Sequence, residues 1–557
     1  MRKYFILTVL LVLVTSVLVA QSETKPQPFS FDKKGISQSI DVNIMPYTDN
    51  ETLIKEDAER QDKSLPLRVG IGHSVAKTLD NSGRKDILDD GSMLWRAEFV
   101  SENAIMTYLV FDRFNIPEEA QLFIYSPDRS QVFGPYTNDD VQKVGKLVTD
   151  DIIGDEVVVE YYEPANASFK GDFQIAAVMH VYRDFLHINT DTKGPHGDAD
   201  GSCHIDVACP EAQPWKDPIK SVVCISITAY VASEGGWGGY LCSGALVNNV
   251  RKDKTPYVLS AEHCVAANDQ THKFYFRYQL NECNGTSGFS GYTANGGDII
   301  ARSNASDITS KSDFLLLKIT RDLSTFVWHD SVFFAGWDRS GAASVGAGIH
   351  HPGGDWKKIS FPQNVVSINS GSMANKYFKV SWQTNPNKGV TEQGSSGSPL
   401  FNADQLIIGT LTSGSSSCSY VYGTDNYGKM SYHWNNNNAS NSANKLQPWL
   451  DPDNTGAVTL PSMKFNGTIL GVQEHETSSF DIYPNPTQDG QVTIQGEFLP
   501  ELATCHIYNA LGQLVKSVEI MTDATFSLNV SALDNGIYFV DILGSERIYH
   551  SKLIIAR

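Results

Sequence analysis

The sequence lacks a block of clustered basic residues. Its 557 residues carry 44 Lys and Arg against 63 Asp and Glu, which gives a formal net charge of −19. Binding to a phosphate backbone requires clustered positive side chains. The composition therefore excludes a nucleic-acid partner, and the length predicts two to four domains.

The chain also lacks long apolar runs beyond its first twenty residues. Spanning a bilayer takes roughly 20 consecutive apolar residues, and no later segment approaches that length. Residues 1–20, MRKYFILTVLLVLVTSVLVA, place Arg2 and Lys3 before an apolar segment that ends at Ala20. This layout is typical of a secretory signal peptide, with a membrane anchor as the alternative. The mature protein is predicted to be exported and to have no transmembrane segment.

Cysteine is absent from residues 1–202, and no CxxC pair occurs anywhere, which argues against a zinc ribbon or a thioredoxin-type site. Six of the eight cysteines fall between residues 203 and 283. Exported proteins form and keep disulfides, so this clustering marks one stapled domain that starts near residue 200. The cysteines are Cys203, Cys209, Cys224, Cys242, Cys264, Cys283, Cys418 and Cys505.

Helical periodicity is scarce, and short strand-like runs separated by Gly, Asn and Ser turns dominate. Residues 21–197 are predicted to be a β-rich propeptide, with a permanent accessory domain as the alternative. Residues 198–460 fit a sandwich or barrel. A linker over 461–477 and a small β-sandwich over 478–557 follow. The predicted fold class is all-β.

Three short motifs carry residues with catalytic potential: LSAEHC with His263, SDFLLLKI with Asp313, and GSSGSP with Ser396. Each is a weak signal alone. Together they supply a base, an orienting carboxylate and a nucleophile in an exposed turn. Asp298 and Asp307 compete for the carboxylate role, but neither precedes the leucine run. Gly394 and Ser396 are the predicted backbone donors of an oxyanion hole.

These motifs resemble those of the chymotrypsin-like serine proteases, whose chain order of His, Asp and Ser is kept here. The resemblance implies a double β-barrel and peptide-bond hydrolysis through an acyl-enzyme. The segments GSCHIDVACPE, VTEQGSSGSP and GSSSCS further resemble the bacterial lysyl endopeptidases over roughly residues 201–455. That resemblance implies three disulfides and leaves Cys224 and Cys505 over. The implied pairs are Cys203–Cys418, Cys209–Cys283 and Cys242–Cys264.

One position departs from the chymotrypsin-like pattern. The family has an Asp immediately before the nucleophile, and this chain has Ser395. The salt bridge between that Asp and a newly cut N-terminus cannot form, so activation must work in another way. A Cys203–Cys418 bridge would replace it by a covalent link.

Residues predicted to bind substrate are Asp425, Thr412 and Gly414. Trypsin places an Asp six residues before its nucleophile, where this chain has Val390. In lysyl endopeptidases an Asp in a D-x-Y-G segment binds the substrate cation, and Asp425 stands in DNYG; a solvated turn Asp is the alternative. Thr412 replaces the family's pocket His in the strand GTLTSGSSSC. Cleavage after Lys is predicted, with Arg also accepted.

The pair His350 and His351 suggests a metal site, but adjacent side chains of an extended segment point to opposite faces and no third ligand is evident. A structural role near the catalytic residues is the preferred interpretation. No cofactor and no metal are predicted.

The tail contains FDIYPNP, NALGQLV with a turn at Gly512, and LDNGIYFV. In this order the motifs resemble the C-terminal sorting domain of type IX secretion, with an ordinary surface-binding sandwich as the alternative. The resemblance implies type IX machinery as a partner, and secretion or attachment at the cell surface. The predicted protein is a monomeric serine endopeptidase acting on proteins or peptides. The alternative function is an adhesin on an inactive protease scaffold.

Overall fold

The computed structural model describes residues 26–557 except 34–35, 38, 60–64, 188–202, 290, 305–311, 327, 385–388, 437–438, 471–477, 497–501, 510–513, 522–524 and 544–547. The predicted signal peptide, Asp307 and the turn at Gly512 lie outside the described residues. The same holds for Lys193, which stands in DTKGPHGDADG (191–201), a polar, Gly-containing stretch typical of linkers and cleavage sites.

The N-terminal unit is a β-sandwich with one helix, Asn50–Glu59 (α1). One sheet has the order β1-β4-β10-β6-β7 with β3 beside β4, and the facing layer contains β2, β11, β5 and β8. Apolar side chains from both layers, such as Trp95, Leu109 and Phe173, share one core. The strands are Asp41–Ile44 (β1), Leu67–Thr78 (β2), Arg84–Ile87 (β3), Met93–Val100 (β4), Met106–Asn115 (β5), Gln121–Tyr125 (β6), Val132–Tyr136 (β7), Leu147–Val148 (β8), Ile152–Ile153 (β9), Glu156–Glu163 (β10) and Asp172–Val181 (β11).

The cysteine-stapled region that follows contains many short strands and three short helices, Pro218–Ser221 (α2), Met430–Asn435 (α3) and Gln447–Leu450 (α4). Its strands are Ile205–Asp206 (β12), Val222–Val231 (β13), Gly236–Val247 (β14), Tyr257–Ser260 (β15), Thr271–Phe276 (β16), Gln279–Leu280 (β17), Gly288–Phe289 (β18), Tyr292–Asn295 (β19), Gly297–Arg302 (β20), Leu315–Ile319 (β21), Phe333–Phe334 (β22), Trp337–Asp338 (β23), Ala347–His350 (β24), Lys358–Ser360 (β25), Pro362–Ser367 (β26), Tyr377–Trp382 (β27), Pro399–Phe401 (β28), Ile407–Gly414 (β29), Thr424–Lys429 (β30), Thr459–Leu460 (β31), Ser462–Lys464 (β32) and Ile469–Leu470 (β33).

These strands form two barrel-like halves. The first contains β13–β16 and β19–β21 around a core that includes Ile225, Phe274 and Leu317. The second follows the order β12-β25-β24-β28-β29-β30-β27-β26, with β23 beside β29. The all-β architecture and the double barrel are as predicted.

The N-terminal unit and the first barrel share a single sheet. Strand β2 pairs antiparallel with β14, and the register sets Leu67 opposite Leu241 and Gly72 opposite Trp237. A buried hydrogen bond of 2.8 Å between the Tyr108 and Thr228 hydroxyls adds to this junction. The edge of β14 is therefore covered by the chain's own N-terminal unit.

Part of the predicted linker 461–477 belongs to the fold of the stapled region. Strand β32 pairs with β22 and β33, and Met463 is buried in the core of the first barrel. The sequence does not indicate which strands bury Met463, so this segment was predicted to be a linker. Only residues 471–477 of the predicted linker remain outside the described structure.

The C-terminal unit is a small two-sheet sandwich, as predicted. Its strands are Ser478–Ser479 (β34), Asp481–Tyr483 (β35), Gln491–Gln495 (β36), Leu502–Asn509 (β37), Leu514–Met521 (β38), Thr525–Asn529 (β39), Gly536–Leu543 (β40) and Ile548–Ile555 (β41). One sheet has the order β34-β41-β40-β37-β38, and the other β35-β36-β39. Across the described parts of the chain, no helix has the length and hydrophobicity that crossing a bilayer requires.

Candidate active site

His263 and Asp313 come together because their strands are neighbours. Strand β15 ends three residues before His263, and β21 begins two residues after Asp313; the two strands pair with Ser260 opposite Leu315. The His263 ring nitrogen Nδ1 lies 2.8 Å from Asp313 Oδ2, and the His263 backbone N–H donates to Oδ1 at 3.0 Å. Both carboxylate oxygens therefore hold the same histidine.

This carboxylate is ionised despite its burial. Asp313 is completely buried. Burial alone would raise its pKa, but the electrostatic attraction and the hydrogen bonds of His263 outweigh that effect and hold the pKa below its ordinary value. A negative Asp313 orients the imidazole so that Nε2 faces away from the carboxylate, and it stabilises the imidazolium form.

Ser396 lies in a turn that packs directly on the strands leading to His263. The Ser396 carbonyl accepts the N–H of Ser243 at 2.8 Å, and the Ser243 hydroxyl donates to the Gly394 carbonyl at 2.9 Å. A Cβ added to Gly397 would approach Ser260 Oγ to 2.1 Å. The turn therefore sits against β14 and the end of β15, and the Cys242–Cys264 disulfide ties these two segments together next to His263.

Gly394 occupies a position that only glycine fits. Its φ is +91°, in the left-handed region, and a Cβ there would lie 2.9 Å from both the Gly354 nitrogen and the His351 carbonyl oxygen. The backbone is thus forced into the sharp turn that precedes Ser396. The predicted oxyanion residues Gly394 and Ser396 stand two positions apart on this turn.

The structure shows three disulfides among the described residues, and they are the pairs that the resemblance implies. Cys203 joins Cys418, Cys209 joins Cys283, and Cys242 joins Cys264. Cys224 and Cys505 are free and buried. Burial raises the pKa of each of these two thiols to about 12, so they remain protonated.

Asp425 lies on β30 with its side chain completely buried. Its Oδ2 accepts hydrogen bonds from Trp382 Nε1 at 2.6 Å, from the Thr391 hydroxyl at 2.7 Å and from the Ser416 hydroxyl at 2.5 Å. A Cβ on Gly414 would lie only 1.8 Å from Asp425 Oδ1. Asp425 is therefore a carboxylate held in a fixed orientation by uncharged donors, and the turn-residue alternative does not apply.

Thr412 lies near Asp313 in the structure. It is buried on β29, and its hydroxyl lies close enough to the Asp313 carboxylate to help lower that pKa, although it makes no hydrogen bond of ordinary geometry in the described structure. A register shift in the pairing of β29 with β30 falls between Leu411 and Ser413. The Thr412 side chain thus lies near the predicted triad carboxylate, and Gly414, two residues further on, pairs with Asp425.

His350 and His351 pack behind the turn that carries Ser396. His350 Nδ1 lies 2.7 Å from Ser395 Oγ, and its Nε2 lies 2.9 Å from Ser360 Oγ. The His351 ring stacks on Tyr278, with ring centroids 5.4 Å apart. Both imidazoles thus have structural partners, as preferred in the sequence interpretation.

A separate group of metal-ligand residue types, Cys203, His204 and Cys418, has ligand atoms within 4.8 Å of one another. Its two sulfurs are joined in the disulfide.

Asp298, a competitor for the triad carboxylate, instead accepts the backbone N–H of Lys143 at 2.9 Å.

The sequence analysis did not include the residues that surround Asp425. Thr391 and Ser416 lie within the motifs VTEQGSSGSP and GSSSCS, and their hydroxyls could have been proposed as carboxylate partners from that position. Trp382 stands alone in a strand without a motif, so no sequence signal indicates its contact with Asp425.

Comparison with known proteins agrees with this geometry. Residues 197–428 match the family described as "Lysyl endopeptidase, C-terminal domain". This segment is similar to the C-terminal domain of lysyl endopeptidases. Residues 481–556 match the family described as "Secretion system C-terminal sorting domain", so both resemblances are confirmed. The first of these matches runs from before Cys203 through Asp425.

Two curated proteins are similar to parts of the chain. A lysyl endopeptidase of Pseudomonas aeruginosa is 31% identical over 285 residues, which cover 48% of this chain and 56% of that protein. Ulvan lyase NLR42 of Nonlabens ulvanivorans is 29% identical over 133 residues, which cover 24% of this chain and 22% of that protein. The chain thus spans about half the length of the first relative and about a fifth of the second.

Among solved structures, an immunoglobulin-like β-sandwich protein from Bacteroides vulgatus matches at 14% identity. The match covers 14% of this chain and 86% of that one with a TM-score of 0.11. A score this low carries no argument about fold or function.

Proposed function

We propose that the protein is an exported serine endopeptidase that cleaves peptide bonds after lysine and also accepts arginine. The proposed catalytic residues are His263, Asp313 and Ser396. The observation that carries the proposal is the pair of hydrogen bonds from His263 to the buried Asp313, next to the turn of Ser396.

In this mechanism His263 Nε2 removes the proton of the Ser396 hydroxyl as its oxygen attacks the scissile carbonyl. The N–H groups of Gly394 and Ser396 stabilise the negative oxygen that develops, a contribution worth about 2.7–4 kcal/mol per donor. His263 then protonates the leaving amine, and an acyl-enzyme forms on Ser396. Water, activated by the same imidazole, hydrolyses this ester and restores the serine.

Asp425 is the proposed recognition group for the substrate cation. A buried carboxylate is stabilised when a cation enters beside it, because the pair offsets the cost of removing each charge from water. Trp382, Thr391 and Ser416 fix the direction of the carboxylate, so it presents the same geometry to every substrate.

A peptide series that differs only in the residue before the scissile bond tests this function. Lys peptides are expected to give the highest kcat/KM, followed by Arg, with Ala and Glu peptides far slower. Equal turnover of all four would reject the specificity, and no turnover of any would favour the adhesin alternative.

Residues 21–197 are proposed to act as a propeptide. Strand β2 occupies the edge of β14, one residue before the Cys242–Ser243 segment that holds the Ser396 turn. Immediately before β2, the Leu65 carbonyl accepts a hydrogen bond of 3.4 Å from the Gln393 side chain. The N-terminal unit thus lies against the nucleophile turn, where it would restrict access until removed.

A chain with Ser396→Ala is expected to accumulate at full length, because the cut that removes the propeptide, proposed at Lys193, needs the enzyme's own activity. Immunoblots of culture fractions over time measure the ratio of full-length to processed chain. A Lys193→Gln chain with an intact Ser396 is the matched control, and it should also accumulate at full length. Normal processing of the Ser396→Ala chain would assign the cut to another protease.

The C-terminal sandwich is proposed to direct the monomeric enzyme through type IX machinery to the outside of the cell or to its surface. Deletion of residues 478–557 is expected to leave the enzyme in the periplasm, because the sorting domain is the element that the secretion machinery recognises. Activity in periplasmic and external fractions provides the measurement. Unchanged export of the truncated chain would refute the sorting role.

A further inference from the structure

The start of the lysyl endopeptidase domain contacts the nucleophile turn through a buried histidine. The His204 side chain is completely buried, and its Nε2 lies 3.2 Å from Glu392 Oε2, four residues before Ser396. A carboxylate only accepts, so His204 donates through Nε2–H. The other oxygen, Oε1, accepts the backbone N–H of Cys418 at 3.0 Å. Glu392 therefore joins three segments that are distant in sequence.

Glu392 is also bonded to the turn itself. Its backbone N–H donates to the Ser395 hydroxyl at 3.2 Å, and its carbonyl accepts the N–H of Ser395 at 3.0 Å. These two bonds close the turn that carries the Gly394 and Ser396 amides. Any displacement of Glu392 would be transmitted to the proposed oxyanion donors.

His350 completes this network from the opposite side. Its Nδ1 lies 2.7 Å from Ser395 Oγ, and its ring meets the edge of His204 at a centroid distance of 6.0 Å. Ser395 is thus held between His350 and the backbone of Glu392. We call His204, Glu392, Ser395 and His350 the rear network of the nucleophile turn.

We propose that His204 is a positioning residue that aligns the oxyanion donors through Glu392. The inference rests on the proposed function and extends it, because this chain has Ser395 where a charged residue would otherwise anchor the turn. Cys203, held by its disulfide to Cys418, fixes the backbone from which His204 reaches Glu392. The His204–Glu392 hydrogen bond then anchors the turn, as the salt bridge between an Asp and a new N-terminus would.

His204→Ala tests this role. A misplacement of about 1 Å in a catalytic group costs on the order of 100-fold, so kcat is expected to fall about 10- to 100-fold with KM changed less than about 3-fold. A lysyl aldehyde inhibitor, which forms a tetrahedral oxyanion on Ser396, should lose affinity by the same factor as kcat. His204→Gln should restore both values, because the glutamine Nε2 can donate to Glu392 at the same reach.

Each variant is expressed as the full chain and processed by a trace of unmodified enzyme, with Ser396→Ala treated identically as the blank. Glu392→Gln provides a second variant if His204→Ala does not fold, and the same selective loss of kcat is expected from it. His272→Gln is the matched control, because His272 is a buried histidine of the first barrel with both ring nitrogens bonded. It should lower Tm and leave kcat unchanged.

Unchanged kcat in both His204→Ala and Glu392→Gln would overturn the proposal. Equal losses in His204→Ala and His204→Gln that follow the fall in Tm would also overturn it, since they indicate a purely structural residue. Failure of the proposed function looks different, because the unmodified enzyme itself would then neither cleave lysyl peptides nor bind the aldehyde.

Discussion

Substitution of Ser396 by alanine is expected to lower kcat for a lysyl peptide on the order of a million-fold. The variant loses the hydroxyl that is proposed to form the acyl-enzyme, and the hydroxyl of the adjacent Ser395 is engaged with His350. Rates with a chromogenic lysyl substrate measure the loss directly.

Covalent labelling separates loss of the nucleophile from loss of the fold. An organophosphorus probe should modify Ser396 in the processed enzyme and leave no label in the Ser396→Ala variant. Ser398→Ala is the matched control, because Ser398 is a buried serine of the same turn and its removal should leave labelling intact. Persistent labelling of the Ser396→Ala enzyme at another residue would identify a different nucleophile.

Asp425→Asn is expected to reduce kcat/KM for lysyl substrates about 100- to 1,000-fold. Removing one partner of a buried ion pair costs about 3–5 kcal/mol, since the substrate ammonium then enters a pocket without a compensating charge. Asparagine keeps the size of the side chain, so the shape of the pocket around Trp382 and Ser416 is preserved. The change therefore isolates the charge.

The measurement compares lysyl, arginyl and neutral peptides in parallel. The lysine preference should collapse, while turnover of a neutral peptide stays within a few-fold of its original value. Asp451→Asn provides a matched control, because Asp451 is also buried but lies at the end of α4, where its carboxylate accepts the backbone N–H groups of Thr455 and Gly456. A retained lysine preference in the Asp425 variant would show that a residue other than Asp425 recognises the substrate cation.

The sequence predicted those parts of the candidate site that local chemistry controls. His263, Asp313 and Ser396 each stand at a strand end or in a glycine turn, where the local pattern already restricts the backbone. The glycine requirement at Gly394 follows from the same logic, because its positive φ is a property of the turn itself.

Contacts between segments distant in sequence could not be predicted in this way. The His204–Glu392 pair is separated by 188 positions, and the Trp382–Asp425 bond depends on how β27 lies beside β30. Thr412 shows the same limit at short range, because the register shift between β29 and β30 that falls beside it has no signal in the sequence. Hydrophobic periodicity predicts where strands lie in the sequence, but it does not predict which strands pair or in which register.

The pairing of β2 with β14 affects how the proposed mature enzyme would unfold and refold. If the N-terminal unit is removed as proposed, residues Trp237–Leu241 lose their β2 partners along one edge, which exposes backbone donors and acceptors to solvent. A denatured mature chain would then have to refold without the strand that pairs with this edge. We therefore expect the mature protease to persist because it unfolds slowly, and to refold poorly once denatured.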